Sequence, residues 1–408
     1  MTGVPEDEER STSLPVGSRR DRALMRQALR LAERGRGHTH PNPVVGALLV
    51  KGGKILARGF HRQAGLPHAE IEALAKLGMR APGATLYVTL EPCCHHGRTG
   101  PCTEAILRAG VRRVVVGCCD ENPRVSGRGV ARLREAGIAV EAGCLRDECR
   151  RQNRAFFSWI RRKRPWVTLK VASTLDGFIG DGHERERNGK ARWITGEAAR
   201  ARAHALRAEH GAILVGVDTV LSDDPRLTAR LGGLANRSAP SPLRIVIDSH
   251  LRTPASAAVL QTGKRHGATL IVAARTPRPR RDLVARQSKL ETAGAEVMFV
   301  TPDRDGRVAL PSLLRALAAR EVQSLLVEGG SRIHGAFIRQ RLVDSVALFL
   351  APRLAGSGVP IVEGRGLDWN HPTKLGQLEI QTLGPDILIT ADVVDPGKLR
   401  QSSHRKSR

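Results

Sequence analysis

The chain reads TLYVTLEPCCHHGRTGPCTEAILRA at residues 85–109, and this stretch decides the fold of the first half. Its first six residues are apolar, aromatic or β-branched and predict a buried strand, Thr85–Leu90. The spacing of apolar residues in Thr103–Ala109 predicts a helix that begins after a short loop. Cys93 and Cys102 lie at the two ends of that loop, so a strand-to-helix junction carries two thiols.

A second pair of reactive side chains lies upstream, in Pro67-His68-Ala69-Glu70 at the start of a predicted helix, Ala69–Leu77. An imidazole, thiolates and a nearby carboxylate are the residue types of a catalytic zinc site. His68 and Glu70 lie roughly 200° apart around a helix of about 3.6 residues per turn. They can serve one pocket only if the end of the helix faces it, so we expect His68 in the first turn.

The ligands expected for this metal are His68, Cys93 and Cys102, with the fourth position left for water. Cys94 also follows the strand, but two adjacent cysteines chelate one metal poorly, so Cys102 is the better second sulfur. His95 and His96 could also be ligands, and we interpret them as loop residues near the substrate. Zinc deaminases combine His-x-Glu with a Pro-Cys motif and use the glutamate as acid and base, which is the role expected for Glu70.

The composition limits the classes of function. The chain has 408 residues, of which 41% are hydrophobic and 3% aromatic, and a formal net charge of +26. No apolar run reaches about 18 residues, so we expect no membrane-spanning helix. The charge suggests a nucleic-acid partner, but the arginines are spread along the chain and aromatic stacking platforms are scarce. We therefore interpret the charge as a solvated basic surface.

The seven cysteines all lie in the first half of the chain. Their number is odd, and the first twenty residues contain no apolar leader segment. Both observations argue against a disulfide framework and predict a reduced, cytoplasmic setting.

Helix and strand signals alternate from about Asp21 onward, which predicts an α/β fold throughout. A long basic helix, Leu145–Arg162, is expected to end before Pro165, and we place the domain boundary there. A second α/β series follows. The expected division is a disordered lead-in at 1–20, a first domain at 21–164, a second domain at 165–395 and a disordered basic tail at 396–408.

The second half has no Gly-x-Gly-x-x-Gly fingerprint, so a Rossmann site is not indicated. It offers instead Glu328-Gly329-Gly330-Ser331 between a strand and a helix, where backbone amides can approach a phosphate. Alone, this pattern also fits an ordinary strand–helix turn. The same holds for Lys170, for the turn Leu175-Asp176-Gly177 and for the run Val217–Arg230.

Taken in order, the motifs resemble those of the bacterial bifunctional riboflavin-biosynthesis deaminase–reductases. The matching segments are His40-Pro41-Asn42-Pro43, His68-Ala69-Glu70, Glu91-Pro92-Cys93 through Cys102, and Asp120 through Gly129. The resemblance covers about Asp21–Asp395, although the family usually has serine where Cys94 stands. It implies a cytidine-deaminase-like α/β/α domain followed by a dihydrofolate-reductase-like α/β domain, with zinc and NADPH as cofactors.

The resemblance also implies the contacts of the reductase half. The implied cofactor contacts are Ala172, Trp193, Thr219, Asp223, Ser249, Gly330, Ser331, Arg332, Ile333, His334, Gly335 and Ala336. The implied substrate contacts are Ala191, Arg207, Leu227, Arg230 and Glu328. The two arginines would suit a substrate phosphate, since a guanidinium binds phosphate bidentately.

The reaction that the resemblance implies has two steps. In the first, 2,5-diamino-6-(ribosylamino)-4(3H)-pyrimidinone 5'-phosphate loses an amino group to water activated by zinc. In the second, NADPH reduces the ribosyl side chain to give 5-amino-6-(ribitylamino)uracil 5'-phosphate. The expected partner is thus a small phosphorylated pyrimidine, without membrane or nucleic acid, in a chain that can also form a homo-oligomer.

Two alternatives remain open from the sequence. One is a nucleic-acid base deaminase, which the charge and His-x-Glu favour and the long spacing between Cys93 and Cys102 opposes. The other is a deaminase whose second domain is not catalytic. Phe178–Arg192 motivates it, because this segment is longer and more charged than the family usually shows, and the family commonly has serine where Ala191 stands. We expect its charged part, His183–Arg187, to be a surface excursion.

Overall fold

The protein is described by a computed structural model that covers residues 16–96, 100–181, 193–230, 241–261, 267–276, 281–364, 367 and 370–394. The lead-in up to residue 15, the tail from residue 395, Ala191 and His183–Arg187 lie outside the described residues. The chain divides into two compact units, Met1–Phe157 and Ser158–Arg408. In the part of the chain that is described, no helix has the length and apolar character needed to cross a bilayer.

The first unit is built on one five-stranded sheet. Its strands are β1 (Gly46–Lys51), β2 (Lys54–Phe60), β3 (Thr85–Leu90), β4 (Arg113–Cys118) and β5 (Ala139–Ala142). Its helices are α1 (Arg19–Ala32), α2 (Ala69–Ala75), α3 (Cys102–Arg108), α4 (Arg128–Glu135) and α5 (Arg146–Gln152), and α6 (Arg154–Arg162) leads into the second unit. The strand order is β2-β1-β3-β4-β5, with β1 antiparallel to both neighbours and β3, β4 and β5 parallel.

Helix α1 begins at Arg19, where Ser18 and Asp21 form a capping box. The buried carboxylate of Asp21 also accepts hydrogen bonds from the Tyr87 hydroxyl at 2.6 Å and from Arg113 at 3.0 and 3.1 Å. Burial opposes ionisation, but these hydrogen bonds hold the pKa of Asp21 below its ordinary value. The helix is thereby tied to β3 and β4.

The prediction of one long helix over Leu145–Arg162 is wrong, because the helix is interrupted at Asn153 between α5 and α6. The Asn153 amide accepts a hydrogen bond from the Val44 backbone N–H and donates one to the Val44 carbonyl, both at 2.9 Å. This buried side chain therefore completes the backbone pairing of another segment, and the helix axis breaks at its position.

The second unit is built on a nine-stranded sheet. Its strands are β6 (Trp166–Thr174), β8 (Ala212–Gly216), β9 (Leu243–Ile247), β10 (Thr269–Ala274), β11 (Glu296–Val300), β12 (Ser324–Gly329), β13 (Ser345–Ala351), β15 (Glu379–Leu383) and β16 (Asp386–Asp392). The order is β11-β10-β9-β8-β12-β6-β13-β16-β15, parallel except for the pairs formed by β16. A separate short ribbon pairs β7 (Phe178–Gly180) with β14 (Val359–Pro360).

Helices cover both faces of this sheet, which agrees with the mostly apolar sequences of its central strands. They are α7 (Glu197–Glu209), α8 (Val217–Asp223), α9 (Arg281–Thr292), α10 (Leu310–Ala319) and α11 (Ser331–Arg339). Along β8, alternate residues enter two different hydrophobic clusters, Leu214 on one face and Ile213 and Val215 on the other. The prediction of an α/β fold in both halves of the chain is confirmed.

The start of the second unit is anchored at Asp344, whose side chain is 4% exposed. Its carboxylate accepts hydrogen bonds from Arg162 at 2.7 Å, from Arg164 at 2.6 and 2.7 Å, and from the backbone of Val167 at 2.8 Å. Two arginines and one amide thus compensate the burial of this charge and fix the segment that enters β6.

Candidate functional sites

The three side chains predicted to bind zinc come together in the first unit. The Nδ1 atom of His68 lies 3.2 Å from the Cys102 sulfur and 3.5 Å from the Cys93 sulfur. Their potential ligand atoms all lie within 4.8 Å of one another. The two sulfurs and one imidazole nitrogen match the donors that zinc prefers, so the residues present fit this metal.

Local structure explains how these side chains meet. His68 is the N-cap residue of α2, and Cys102 is the first residue of α3, so two helix ends face one point. Cys93 follows β3, and its sulfur accepts a hydrogen bond from the backbone of Cys102 at 3.3 Å. The sequence predicted His68 within the first turn of the helix, whereas the structure has it as the cap one residue before that turn.

The hydrogen bond between the two sulfurs moves their pKa values apart. The hydrogen bond from the Cys102 thiol lowers the pKa of Cys93, although burial opposes the shift, and His68 adds to it. The same hydrogen bond and burial raise the pKa of Cys102. Thiolate is the form that binds a metal, so the lowered pKa suits Cys93 as a ligand.

Glu70 lies in the first turn of α2 and is 3% exposed. Burial raises the pKa of its carboxyl to about 7, and the neighbouring Cys93 raises it further while His68 opposes the shift. A carboxyl that titrates near neutral pH can both accept and release a proton, which suits a general acid and base.

Cys94, His95 and His96 lie outside the metal cluster found among the described residues. The sulfur of Cys94 is directed to the carbonyl of Arg124 at 3.9 Å. His96 is exposed, whereas the Nδ1 atom of His95 is buried without a hydrogen-bond partner in the described structure. This geometry favours Cys102 over Cys94 as the second sulfur.

Glu91 is a residue whose role the sequence reasoning missed. Its buried carboxylate accepts hydrogen bonds from the backbone N–H groups of Asp120, Gly127 and Val130 at 2.9–3.1 Å. Glu91 thereby fixes the loop before α4 next to Pro92-Cys93. A Cβ atom on Gly129 would lie 2.1 Å from the Pro92 carbonyl, so this contact requires glycine. The Glu-Pro-Cys motif is visible in the sequence, but it does not show which backbone groups the Glu91 carboxylate binds.

His61 was also missed, because no local motif marks it. Its ring packs edge-on against the ring of His68, with 5.3 Å between centroids. Its Nδ1 atom contacts the Pro67 carbonyl at 3.1 Å, and its Nε2 atom contacts the Asn42 amide at 3.0 Å. Burial lowers the pKa of His61, which is consistent with a neutral ring that positions His68.

A buried ion cluster lies at the end of β12 in the second unit. Arg207 donates two hydrogen bonds to the carboxylate of Glu328, both at 2.7 Å, and the Lys170 ammonium lies 4.0 Å from it. Burial opposes ionisation, but the two cations lower the pKa of Glu328 to about 2. Burial also lowers the pKa of Lys170, against the effect of Glu328. Two guanidinium nitrogens of Arg207 are therefore already bound to Glu328.

The other predicted substrate arginine is more open. Arg230 contacts the Nε2 atom of His204 at 3.2 Å, and the Nδ1 atom of His204 contacts the Thr228 carbonyl at 3.0 Å. Burial and the positive charges of Arg207 and Arg230 lower the pKa of His204 to about 4. Leu227 is 2% exposed and packs in the hydrophobic core.

Two predicted cofactor contacts meet at the start of α11. A Cβ atom on Gly330, the N-cap residue, would lie 3.1 Å from the hydroxyl oxygen of Thr219 in α8. Ser331 donates its hydroxyl to the Pro360 carbonyl at 2.6 Å, and Arg332 pairs with Glu363 at 3.0 Å. The N-terminus of α11 thus faces α8, in the position expected for a phosphate-binding turn.

The remaining predicted cofactor residues of α11 contact neighbouring segments. Ile333 lies against Gly216, where a Cβ atom would be 2.9 Å away, and Gly335 lies against the Glu363 carbonyl. His334 is 1% exposed, its Nδ1 atom contacts the Ile361 carbonyl at 3.0 Å, and burial lowers its pKa to about 4. Ala336 is partly buried against the core.

The last four predicted cofactor contacts lie in a strand, at the end of a helix and in loops. Ala172 lies in β6, and Asp223 is the final residue of α8. Ser249 follows β9, and its hydroxyl oxygen accepts a hydrogen bond from the Val308 backbone at 3.1 Å. Trp193 is 58% exposed, and Arg200 lies over its ring at 5.1 Å.

Comparison with known proteins covers both units. Residues 165–389 match the family model described as the RibD C-terminal domain, and residues 18–118 match the zinc-binding region of cytidine and deoxycytidylate deaminases. The riboflavin biosynthesis protein RibD of Aquifex aeolicus is 41% identical over 90% of this chain and 97% of its own length.

Solved structures agree with the sequence comparison. RibD of Acinetobacter baumannii, form 1, is 34% identical with a TM-score of 0.78, over 92% of this chain and 99% of that one. A diaminohydroxyphosphoribosylaminopyrimidine deaminase/5-amino-6-(5-phosphoribosylamino)uracil reductase of Thermotoga maritima is also 34% identical, with a TM-score of 0.77 and the same coverage.

Proposed function

Because this chain belongs to the RibD family of bifunctional riboflavin-biosynthesis enzymes, we propose that His68, Cys93 and Cys102 hold its catalytic zinc and that Glu70 moves the proton of the deamination. The chain is a zinc-dependent deaminase and an NADPH-dependent reductase, as the sequence predicted. The observation that carries the residue assignment is the convergence of one imidazole nitrogen and two sulfurs beside the buried Glu70.

A zinc ion held by His68, Cys93 and Cys102 would supply a nucleophile from water near neutral pH. Glu70 accepts the proton of that water and delivers it to the departing nitrogen, so a C–N bond breaks, a C–O bond forms and ammonia leaves. The substrate we assign is the diaminopyrimidinone ribosyl phosphate named for the Thermotoga relative. His61 and Glu91 act by position, since they hold His68 and the loop that follows Cys93.

In the second unit, bound NADPH would supply the hydride that reduces the carbonyl carbon of the ring-opened ribosyl group. The carbonyl oxygen must then receive a proton. Lys170 is a buried ammonium that Glu328 accompanies at 4.0 Å, and we assign it as the proton donor. We further assign the exposed Arg230 and Arg226 to the substrate phosphate, because Arg207 is committed to Glu328.

We assign the deamination to residues 21–164 and the reduction to residues 165–395, in the cytoplasm, where both cofactors are available. The two alternatives weighed from the sequence lose their support. The relatives extend over both halves, and the Thermotoga relative is named for both activities, which favours the bifunctional enzyme over a nucleic-acid base deaminase and over a deaminase with a non-catalytic second domain.

Replacing Cys102 by serine is expected to abolish stoichiometric zinc binding, because the site loses one of its two thiolates. Cys94→Ser is the matched control, since the Cys94 sulfur lies outside the cluster, and it is expected to retain one zinc per chain. Metal analysis of the two purified proteins after dialysis tests whether Cys102 or Cys94 is the second sulfur ligand. An empty site in Cys94→Ser would show that the wrong sulfur was assigned.

Replacing Gly330 by valine is expected to weaken NADPH binding by at least about tenfold, because the new side chain would crowd Thr219 at the start of α11. Gly180→Val is the control, since nothing lies within 4 Å of a Cβ atom there. Calorimetric titration with NADPH measures the effect, and zinc content should stay unchanged in both variants. Equal NADPH affinity in wild type and Gly330→Val would remove this turn from the cofactor site.

A further inference from the structure

A basic cavity of roughly 260 Å³ lies between helix α1 and strands β1 and β2 in the first unit. Its floor is apolar and includes Leu48, which is 1% exposed. Three arginines line its walls, Arg30 and Arg34 from α1 and Arg58 from β2. No carboxylate belongs to the lining among the residues that the structure describes, so the positive charge is not neutralised within the cavity.

The cavity and the zinc ligands lie on opposite faces of the five-stranded sheet. Ala47 and Leu49, the neighbours of Leu48 in β1, pack in one hydrophobic cluster with Ala69 and Ala73 of α2. Because side chains alternate along a strand, Leu48 points the other way, toward α1. The cavity thus uses none of the residues proposed for zinc binding or proton transfer, and the inference drawn from it does not rest on the proposed function.

The acidic side chains beside this cavity already have other partners. Glu33 directly precedes Arg34, but its carboxylate accepts hydrogen bonds from Arg36 at 2.7 Å and from Gln152 at 2.6 Å. Glu72 contacts the end of β2, but it binds Arg62 at 2.6 Å. Within the described part of the chain, none of the three cavity arginines forms an ion pair.

The arrangement of the three arginines is unfavourable without an anion. Arg30 and Arg34 lie four residues apart in α1, and like charges at that spacing destabilise a helix. Arg58 faces them from β2 and adds to the repulsion. The Arg34 guanidinium lies over the Phe60 ring at 4.9 Å, and this contact holds it beside the cavity. A bound anion would relieve the repulsion and fill the concave surface.

The size and the charge of the cavity limit its ligand. Pockets that enclose drug-sized molecules have volumes of about 300–1,000 Å³. A cavity of roughly 260 Å³ therefore accommodates a small anion, or the anionic end of a larger molecule, rather than a whole nucleotide. Guanidinium groups bind phosphate oxygens through paired N–H donors. Guanidinium groups on two opposite walls suit two linked phosphate groups, one for each wall.

We propose that this cavity binds a diphosphate group, either as inorganic diphosphate or as part of a nucleotide whose base stays outside the cavity. Arg30 and Arg34 contact the phosphate on the α1 side, and Arg58 contacts the phosphate on the β2 side. In a nucleic-acid backbone, sugars separate the single phosphates. Three cations that line one small cavity therefore favour a condensed phosphate over RNA.

The test measures binding and needs no turnover. The full zinc-loaded chain is first saturated with NADPH, which occupies the phosphate-binding turn proposed in the second unit. Calorimetric titrations in buffer free of phosphate and sulfate then compare inorganic diphosphate, ADP, AMP and inorganic phosphate. Metal analysis after each titration checks that the zinc has stayed in place, because diphosphate itself chelates metals.

The cavity variant is the double substitution Arg30→Gln and Arg58→Gln. Arg34 is left in place because of its contact with Phe60. The matched control is Arg26→Gln combined with Arg80→Gln. It removes the same charge, both of its arginines are exposed, and neither lines the cavity.

We expect wild type and control to bind diphosphate at one site per chain, and the cavity variant to bind it at least about tenfold more weakly. AMP and phosphate, which carry one phosphate group, should bind wild type more weakly than diphosphate does. If ADP binding shows the same loss, the diphosphate group alone is recognised. If ADP binds and inorganic diphosphate does not, the source is a nucleotide.

Three results would overturn the inference. Wild type would bind neither diphosphate nor ADP, or the control would lose as much affinity as the cavity variant, which indicates general attraction of anions to a basic surface. The third is binding of single-stranded RNA that depends on Arg30 and Arg58 while diphosphate and ADP do not bind, which would assign the cavity to a nucleic acid.

Discussion

Replacing Glu70 by glutamine is expected to slow deamination by about 10²–10⁴-fold, while the protein retains one zinc per chain. An amide cannot accept the proton of water or deliver one to the departing nitrogen. Glutamine has nearly the same shape, and Glu70 contributes no atom to the three-ligand cluster, so the metal should stay. Steady-state rates with the diaminopyrimidinone phosphate, together with metal analysis, measure both expectations.

The control for Glu70→Gln is Glu72→Gln, two residues further along α2. Glu72 binds Arg62 and the Phe60 backbone at the surface and does not reach the metal cluster. Its substitution should leave deamination close to that of wild type. Reduction of the deaminated compound should be unchanged in both variants. Near-normal deamination by Glu70→Gln would assign the proton transfer to another group.

Replacing Glu328 by glutamine is expected to abolish reduction and to lower the free energy of unfolding of the second unit by about 3–5 kcal/mol. The substitution leaves Arg207 and Lys170 buried without their counter-charge. Glu296→Gln is the matched control, since Glu296 also binds an arginine, Arg320, but at the surface. Its cost should stay below about 1 kcal/mol.

Denaturant unfolding and separate assays of the two steps distinguish these variants, and deamination should survive in both. Acidification gives an independent readout. The pKa of Glu328 falls from an ordinary 4.5 to about 2 in the folded chain, so its ionised form adds about 3 kcal/mol of stability above pH 4.5. That stability is lost as the pH falls toward 2, and the loss should be absent in Glu328→Gln. Identical acid unfolding of wild type and variant would contradict this role.

Much of the fold follows from local patterns in the chain. The strand Thr85–Leu90 forms with the predicted bounds, because periodicity and flanking turns report directly on burial. The break at Asn153 could not be predicted in this way. It depends on hydrogen bonds to Val44, which is distant in the sequence.

The short ribbon between Phe178–Gly180 and Val359–Pro360 was missed for the same reason, since strands of two or three residues acquire a partner only through the fold. Helix α8 was missed because the run Val217–Arg230 also fits an ordinary turn and was not interpreted as a helix.

The candidate sites also divide into residues that a local motif marks and residues that only the fold brings together. His68, Cys93, Cys102 and Glu70 carry a motif whose spacing encodes the chemistry, so they could be assigned without coordinates. The pairing of Arg207 with Glu328 could not be predicted, and it is the reason we propose Arg226 and Arg230, rather than Arg207, for the substrate phosphate. The roles assigned to all of these site residues stay predictions until the variants described above are measured.

The hydrogen bonds of Asp344 determine where a gene fragment that encodes only the reductase half should begin. The family model starts at residue 165, and a fragment cut there would lose Arg162 and Arg164 and leave the carboxylate of Asp344 with the Val167 amide alone among its described donors. A fragment that starts at Ser158, where the second compact unit begins, keeps both arginines. Seven residues that carry no catalytic motif therefore belong to any autonomous reductase, and a natural single-function relative of this half must either carry an equivalent of them or replace the buried acid.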